Sequence, residues 1–582
     1  MNCELLGQPC RNFQILGIAS FVDPRDGREK VVLSNFAAGA VGNIVFIDPL
    51  TGEGEDLALP GDNGAWAVLN YRDEKLLIGT CAQHGYLHCL DLKSRQWAAP
   101  LRDEKEQYIW NLCLGEDGMV YGGTYPGCVL LRYDPQRHAL ENLGRVSEVE
   151  GNLYSRTVYG EVPGHILIAC GYAEAHLALW NIQTGKARPF GKPGASVREV
   201  GPDFLCTQRG EELDFYDLKT LEPAGQDLRD QLKSGGPPAR YQGMGFSIQL
   251  KDGRHLATRG QEYYLDEGGV ERPELRPIPA PRPATRIHSL CADLRGRIWG
   301  SAGFGQTIFS FDPQTGEDWN SQVVCDAGGE VYGMAFAGES LFMACYSGGD
   351  HVVYDPTQSW NQVDQLNPRS LRVAGPELIR PSGKSVLGPD GHFWTGWMAK
   401  YGTYGGGLSR VDVHSLEVQI WTDPVGPQAL VGLAADQQYL YFITGGGANG
   451  LPAKQEPFFF VVWSPEIGLV WKQQFPLGAA LHSVAALAGK VLVGVDSYLE
   501  IFDPQALTFV GQVELGGICQ LLTPLTTGKA AAFCGQQLWL VDPLAGRAAR
   551  AGQLPGTIHA AVATAQGEVY CAGGTELYRL SL

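Results

Sequence analysis

The sequence predicts an all-β chain folded as two tandem β-propellers of about six to seven four-stranded blades each. Three observations predict it. Short runs alternate apolar and polar residues at period two, bounded by clusters of Gly, Pro and Asp. A turn built around Asp recurs at a spacing of about 40 to 50 residues, the length of one propeller blade. The 76 glycines and 10% aromatic residues suit many tight turns joining strands that pack on both faces.

The clearest unit runs from Arg286 to Gly316. Residues 286–293 alternate and end in a turn at Leu294–Gly296. Residues 297–300 form a second strand closed by Ser301–Gly305, and 307–311 form a third. Asp312–Gly316 is then a turn that opens a fourth. The same turn returns at Asp48, Asp91, Asp134, Asp217, Asp355, Asp412, Asp503 and Asp542. In each copy the carboxylate can cap backbone N–H groups of the turn, and a following Pro, where present, fixes φ. These aspartates are therefore expected to be structural. Weaker units near Tyr241–Leu265 and Val569–Leu580 bring the total to about thirteen blades, more than one ring ordinarily holds.

The N-terminal propeller is placed at residues 1–275 and a seven-bladed C-terminal propeller at 286–582. Between them, Glu271–Thr285 carries five prolines, which favour an extended, semi-rigid connector at 271–285. A further N-terminal blade would lie in Met1–Ala37 or Gln226–Arg240, or else the chain ends cross and complete each other's rings. Two loops, Tyr354–Val386 and Gly445–Pro457, exceed what the repeat needs and are where function is expected.

The formal net charge of −18 argues against a nucleic-acid partner, whose phosphates need a basic surface. No apolar run is long enough for a membrane span; Phe458–Trp463 is far too short. The N-terminus lacks a basic region followed by an apolar stretch, so no signal peptide is expected. The 14 cysteines, among them Cys113, Cys128, Cys170, Cys291 and Cys571 within strand patterns, show no CxxC pair or zinc spacing. Buried free thiols in a reducing, cytoplasmic location are the expectation.

Counting back from the first hairpin turn of each unit locates equivalent positions on the strand expected to line the central channel. In the C-terminal half these are His288, Tyr332, Gly383-Lys384, Val431, His482, Cys519 and His559. Three histidines in phase would bind a divalent metal, supply a general base, or simply bond a neighbouring blade. In the N-terminal half the count gives Trp66, Trp110 and Arg156, with Tyr154 close by. Aromatic faces suit sugar C–H groups and a guanidinium clamps a carboxylate; the alternative is that the tryptophans plug the channel. A third group joins Asn367, Arg369, Arg380 and Lys384 to Tyr401 and the glycine run ending at Gly407. Arg beside Tyr and His is the arrangement needed to remove a proton α to a uronate carboxylate.

The stretches Val120–Gly127, Tyr154-Ser-Arg156, Asn367-Pro-Arg369, Arg380-Pro381 and Tyr401–Gly407 resemble bacterial tandem propeller-repeat proteins that carry PQQ-like or gluconolactonase-like labels. A more distant likeness is to propeller polysaccharide lyases such as the oligogalacturonate lyases. That likeness implies a cytoplasmic enzyme whose ring histidines hold a divalent metal, placed here on His288, His482 and His559. The functional expectation is thus a carbohydrate-active lyase or hydrolase on uronic-acid-containing oligosaccharides. Its catalytic residues would be drawn from His288, His482, His559, Tyr332 and Tyr401. Trp66, Trp110, Tyr154, Arg156, Asn367, Arg369, Arg380 and Lys384 would bind the substrate. The alternative is a non-catalytic propeller scaffold for protein partners.

Overall fold

A computed structural model describes residues 2–81, 84–233, 240–243 and 245–582, excepting the side chains of residues 226 and 227. Part of the irregular 226–240 segment, proposed above as a hidden blade, lies outside the described residues. What is described of it holds one 3₁₀ helix, Gln226–Gln231. No described helix is long and apolar enough to cross a membrane.

The described residues form thirteen antiparallel sheets in two compact units. The N-terminal unit, Phe13–Tyr241 with Gly245–Pro281, holds six sheets spanning 15–58, 65–102, 108–145, 154–190, 196–217 and 247–277. The C-terminal unit, from Arg282 onward together with Met1–Asn12 and Gln242–Met244, holds seven, at 287–320, 331–370, 378–422, 429–474, 481–514, 521–553 and 560–581. All are four-stranded except 65–102, which has five strands, and 196–217, which has three.

Two details differ from the sequence boundaries. Asn2–Gly7 is the outer strand of the last sheet, pairing with Glu576–Ser581, so the first residues belong with the C-terminal unit. The proline-rich connector also supplies a strand: Arg276–Pro277 pairs with Glu262 and Tyr263 at the edge of its sheet. Proline is tolerated there because an edge strand can lack an outward donor.

Each sheet is graded by burial. The first strand alternates, as in Leu481–Leu487; the second is almost wholly buried, as in Lys490–Val495; the fourth is mostly exposed, as in Thr508–Glu514. A strand buried on both faces must have sheets on both sides. The apolar clusters show those neighbours. In the C-terminal unit every cluster draws on two successive sheets, and one joins Ala560, Tyr570 and Leu577 of the last sheet to Ile287, Ile298 and Phe309 of the first. In the N-terminal unit clusters join the first five sheets in series, and Phe13 and Ile15 join the first to Leu250, Leu256 and Tyr263 of the sixth. The far side of the fifth sheet is covered differently: Phe204, Cys206 and Phe215 pack under Leu228 and Leu232 of the 3₁₀ segment.

The recurring aspartates act as turn caps. Asp48, Asp134, Asp312 and Asp503 each accept a hydrogen bond from the backbone N–H two residues on, at 2.8–2.9 Å. Asp217 and Asp412 do the same at 3.0 Å.

One local device positions the candidate residues. Most first strands carry a β-bulge, where the register skips one residue. The skipped residues are Leu16, Trp66, Trp110, Arg156 and Arg198 in the N-terminal unit. In the C-terminal unit they include His288, Tyr332, Val431 and His482. A bulge re-aims the extra side chain out of the pleat. The next residue is usually small, which lets the neighbouring sheet come close. Ser289 Oγ donates to the Tyr332 carbonyl at 2.6 Å, Ser483 Oγ to the Cys519 carbonyl at 2.8 Å, and a Cβ on Gly17 would meet the Trp66 carbonyl at 2.9 Å.

Candidate functional site

In the C-terminal unit the bulged strands bring together cations, imidazoles and phenols. Leu378–Leu387 is the most irregular of these strands. Its register slips between Leu378 and Arg380 and again between Arg380 and Lys384, where five residues of one strand stand opposite the three from Met398 to Gly396 of the other. Lys384 sits at φ 59°, and a Cβ on Gly383 would meet Gly396 Cα at 2.9 Å. Glycine at 383 is therefore what allows the double bulge that presents Arg380 and Lys384 on one strand.

The Arg380 guanidinium lies 4.2 Å from the ring centre of Tyr346 and 6.0 Å from that of Tyr332. Tyr332 packs edge-on against His288 with ring centres 4.4 Å apart, and the Tyr346 hydroxyl bonds that of Tyr401. His559 Nε2 donates to the Ile287 carbonyl at 2.7 Å, fixing the ring of the last sheet against the first. Tyr401 is 57% exposed on a turn held by the Gly445–Pro457 loop, with Gly402 N–H donating to the Asn449 carbonyl and Tyr404 Oη to the Pro452 carbonyl, both at 2.9 Å.

Electrostatics ties the group together. Burial pushes His288 down to about 3, and Lys384, Arg286, His559 and Arg380 push the same way. Burial and Arg286 lower His559 to about 4. Lys384 is also lowered, by burial first and by Arg286 second. Glu330, only 6% exposed, is raised by burial to about 7, although Arg380 and Arg286 pull it down. Tyr332 is raised by burial to about 12. Both imidazoles are therefore neutral at neutral pH. Among the described residues Arg286, Arg380 and Lys384 make no ion pair, and Arg380 Nε is buried without a hydrogen-bond partner, as is Glu330 Oε2.

Other expected members fall elsewhere. His482 is lowered by burial with only Asp496 acting against it; its buried Nε2 has no partner, and it is not coupled to His288 or His559. No group of three or more His, Cys, Asp or Glu among the described residues is arranged to hold a metal ion. The three-histidine metal centre is thus corrected: two of the rings stand among cations that would repel a dication, and the third stands apart. Asn367 is structural. It accepts from Asp355 N–H and donates to the Asp355 carbonyl, at 2.8 and 2.9 Å. Arg369 lies on the outer strand Arg369–Ser370, exposed and without an ion pair among the described residues, so the loop does not deliver it to Arg380.

The count from the hairpin turns missed Arg286, Glu330 and Tyr346. Arg286 and Glu330 each stand two residues before a bulge residue, His288 and Tyr332, and that offset was the available signal.

In the N-terminal unit three successive sheets build an aromatic cluster. Trp66 and Trp110 are edge-on at 5.4 Å, Trp110 stacks on Tyr108 at 4.6 Å, and Tyr125 stacks on Tyr154 at 5.1 Å. Tyr154 also meets Trp110 at 5.8 Å and Tyr172 at 5.7 Å. The Arg156 guanidinium lies 5.1 Å from the Trp110 ring centre.

A separate surface hollow of about 890 Å³ is lined by Asp293, Arg297, Trp319 and Trp360 among others. Its charges are matched within it: Arg297 faces Asp312 at 3.5 Å and Asp293 accepts from Trp299 Nε1 at 3.2 Å. It lacks the unpaired groups of the bulged strands.

No family model matches the sequence, and no curated protein matches it. Solved structures do. The extracellular domain of a protein described as a hybrid two-component system from B. thetaiotaomicron is 13% identical, with 96% of this chain and 74% of that chain covered and a TM-score of 0.36. That of a protein described as a one-component system from the same organism is 11% identical, with 99% and 82% covered and a TM-score of 0.29.

The cytoplasmic expectation is withdrawn at this point, because the free thiols it rested on do not decide location. All fourteen cysteines are free and all but Cys3 are buried, and burial raises the thiols of Cys10, Cys113, Cys291 and Cys571. A thiol kept protonated and shielded survives in an oxidising compartment as in a reducing one, so these residues do not report location.

Proposed function

We propose that the chain is a non-catalytic recognition module made of two propellers, of six and seven blades, and that the hub of the seven-bladed one binds a small anionic ligand. One observation carries the reading. Arg286, Arg380 and Lys384 stand together without an ion-pair partner among the described residues, in a protein with 63 acidic and 45 basic side chains. Acidic groups are abundant, so leaving three cations unmatched is costly unless something else neutralises them. A ligand carboxylate, sulfate or phosphate would do so, with Arg380 able to offer a two-point contact.

The chemistry of the surrounding groups favours binding over turnover. A Tyr general base needs a lowered pKa, and Tyr332 and Tyr346 are both raised by burial. His288 and His559 are too weakly basic to draw a proton from carbon effectively. Glu330, near neutrality, is the group that keeps an elimination reading in view.

Calorimetric titration with sulfate, acetate and D-galacturonate tests the proposal. Binding by the wild type should weaken roughly 10- to 100-fold in Arg380→Ala, the loss of a charge-assisted pair. Absence of binding to all three anions, or equal binding by the variant, would remove the anion site. An absorbance increase from unsaturated uronate on incubation with oligogalacturonides would instead show that the site is catalytic.

A further inference from the structure

We infer that the aromatic cluster of the N-terminal unit is a second, separate binding site, for a pyranose ring that carries a carboxylate. It does not rest on the anion site proposed above.

The rings come from three successive sheets. Trp66, Trp110 and Tyr154 lie on first strands, and Trp66 and Trp110 are bulge residues. Bulges turn side chains away from the pleat: Trp66 rests on the apolar cluster of Leu16, Phe36, Ala38 and Cys81, while Trp110 belongs to no such cluster. The apolar clusters that hold these sheets together are complete without Trp110. Its Nε1 is buried with no hydrogen-bond partner, a donor left for something else.

Arg156 is the third bulge residue of the series. It is exposed, and no carboxylate pairs with it among the described residues. Its guanidinium rests on the Trp110 face, which orients the fork while leaving its N–H edge free. The surface offered is therefore an aromatic floor with one fixed, outward-facing cation at its rim. Aromatic faces take the C–H side of a sugar ring and the guanidinium takes a carboxylate at two points. A neutral sugar would leave Arg156 unused, and a free inorganic anion would leave the floor unused.

Calorimetry and tryptophan fluorescence with methyl α-D-galacturonide, methyl α-D-galactoside and indole-3-carboxylate test the assignment. The uronide should bind most tightly. Arg156→Gln, at an exposed position that the fold does not need, should cost the uronide at least about tenfold and leave the neutral galactoside unchanged. Trp110→Ala should abolish binding of both sugars; Trp110→Phe keeps a ring for packing and should retain part of it. These values are read in an Arg380→Ala background, so that the anion site proposed for the other unit does not contribute to them. The inference is overturned if the uronide does not bind, if Arg156→Gln affects both sugars alike, or if indole-3-carboxylate binds more tightly than the uronide.

Discussion

The two units use one strand plan and put different chemistry on it. In the C-terminal unit the bulges present His288 and Tyr332 beside the cations Arg380 and Lys384. In the N-terminal unit they present Trp66, Trp110 and Arg156. The apolar skeleton beneath is the same: mostly buried second and third strands, usually with a small residue after the bulge. The chemical difference between the units is thus concentrated at and around the bulges of the first strands. The units also differ in how their sheets are joined. Seven apolar clusters link the seven sheets of one in cyclic order, while in the other the fifth sheet is capped by the 3₁₀ segment.

The largest expected effect breaks that second contrast. Trp394 is fully buried, stacked on Trp421 at 5.2 Å, within the cluster joining two C-terminal sheets. Trp394→Ala should cost about 3–5 kcal/mol, whereas Leu232→Ala, on the partly buried cap of the N-terminal unit, should cost about 1 kcal/mol. Urea unfolding of the two variants checks this; equal losses would mean the 3₁₀ cap is as integral as a sheet interface.

The next effect concerns acid. Burial holds His88, His288, His351 and His559 at about 4, 3, 4 and 4, below their unfolded value of about 6.5. Their contribution to stability is complete above that value and is lost as pH falls through about 4. Glu330 at about 7 and Asp350 at about 6 are raised and work the other way: their contribution is complete below the unfolded carboxyl value and is lost as pH rises toward 7. Asp26 and Asp412, held down to about 2 by hydrogen bonds to backbone N–H groups and nearby cations, lose their contribution on acidification as the histidines do, so the urea midpoint should fall from pH 7 to pH 4. A midpoint that rises on acidification would contradict the burial of those histidines.

The smallest effect is an expected silence. His482 lies outside the cationic group, so His482→Ala should leave sulfate binding within about twofold of the wild type. A loss comparable to that of Arg380→Ala would restore it to the site.

Much of this was legible in the sequence because it is periodic. The Asp turns mark most of the sheets, and a bulge keeps a similar distance from its hairpin, so counting back from the turn reached Trp66, Trp110, Arg156, His288, Tyr332, Val431 and His482. What counting cannot give is the direction of a side chain once the strand slips. His482 holds the same register position as His288 but faces Asp496, and Arg369 looked close to Arg380 only because a long loop connects them. Glu330 and Tyr346 were missed for a related reason: they enter the site from outside the counted position, and burial is what makes Glu330 unusual. The first strand of the chain, Asn2–Gly7, showed no turn of its own because its partner is Glu576–Ser581, at the far end of the chain.

The central claim, that the C-terminal hub is an anion site, predicts how Glu330 should govern it. With a carboxyl near 7, Glu330 is largely protonated in mild acid and ionised in mild alkali, where its charge opposes an anion bound to Arg380 and Arg286. Sulfate keeps the same charge across this range. The direct measurement is therefore calorimetric sulfate affinity of the wild type and Glu330→Gln at pH 6 and pH 8. The account predicts similar affinities at pH 6 and clearly tighter binding by Glu330→Gln at pH 8. A ratio that stays constant between the two pH values, or sulfate binding that survives Arg380→Ala unchanged, would contradict it.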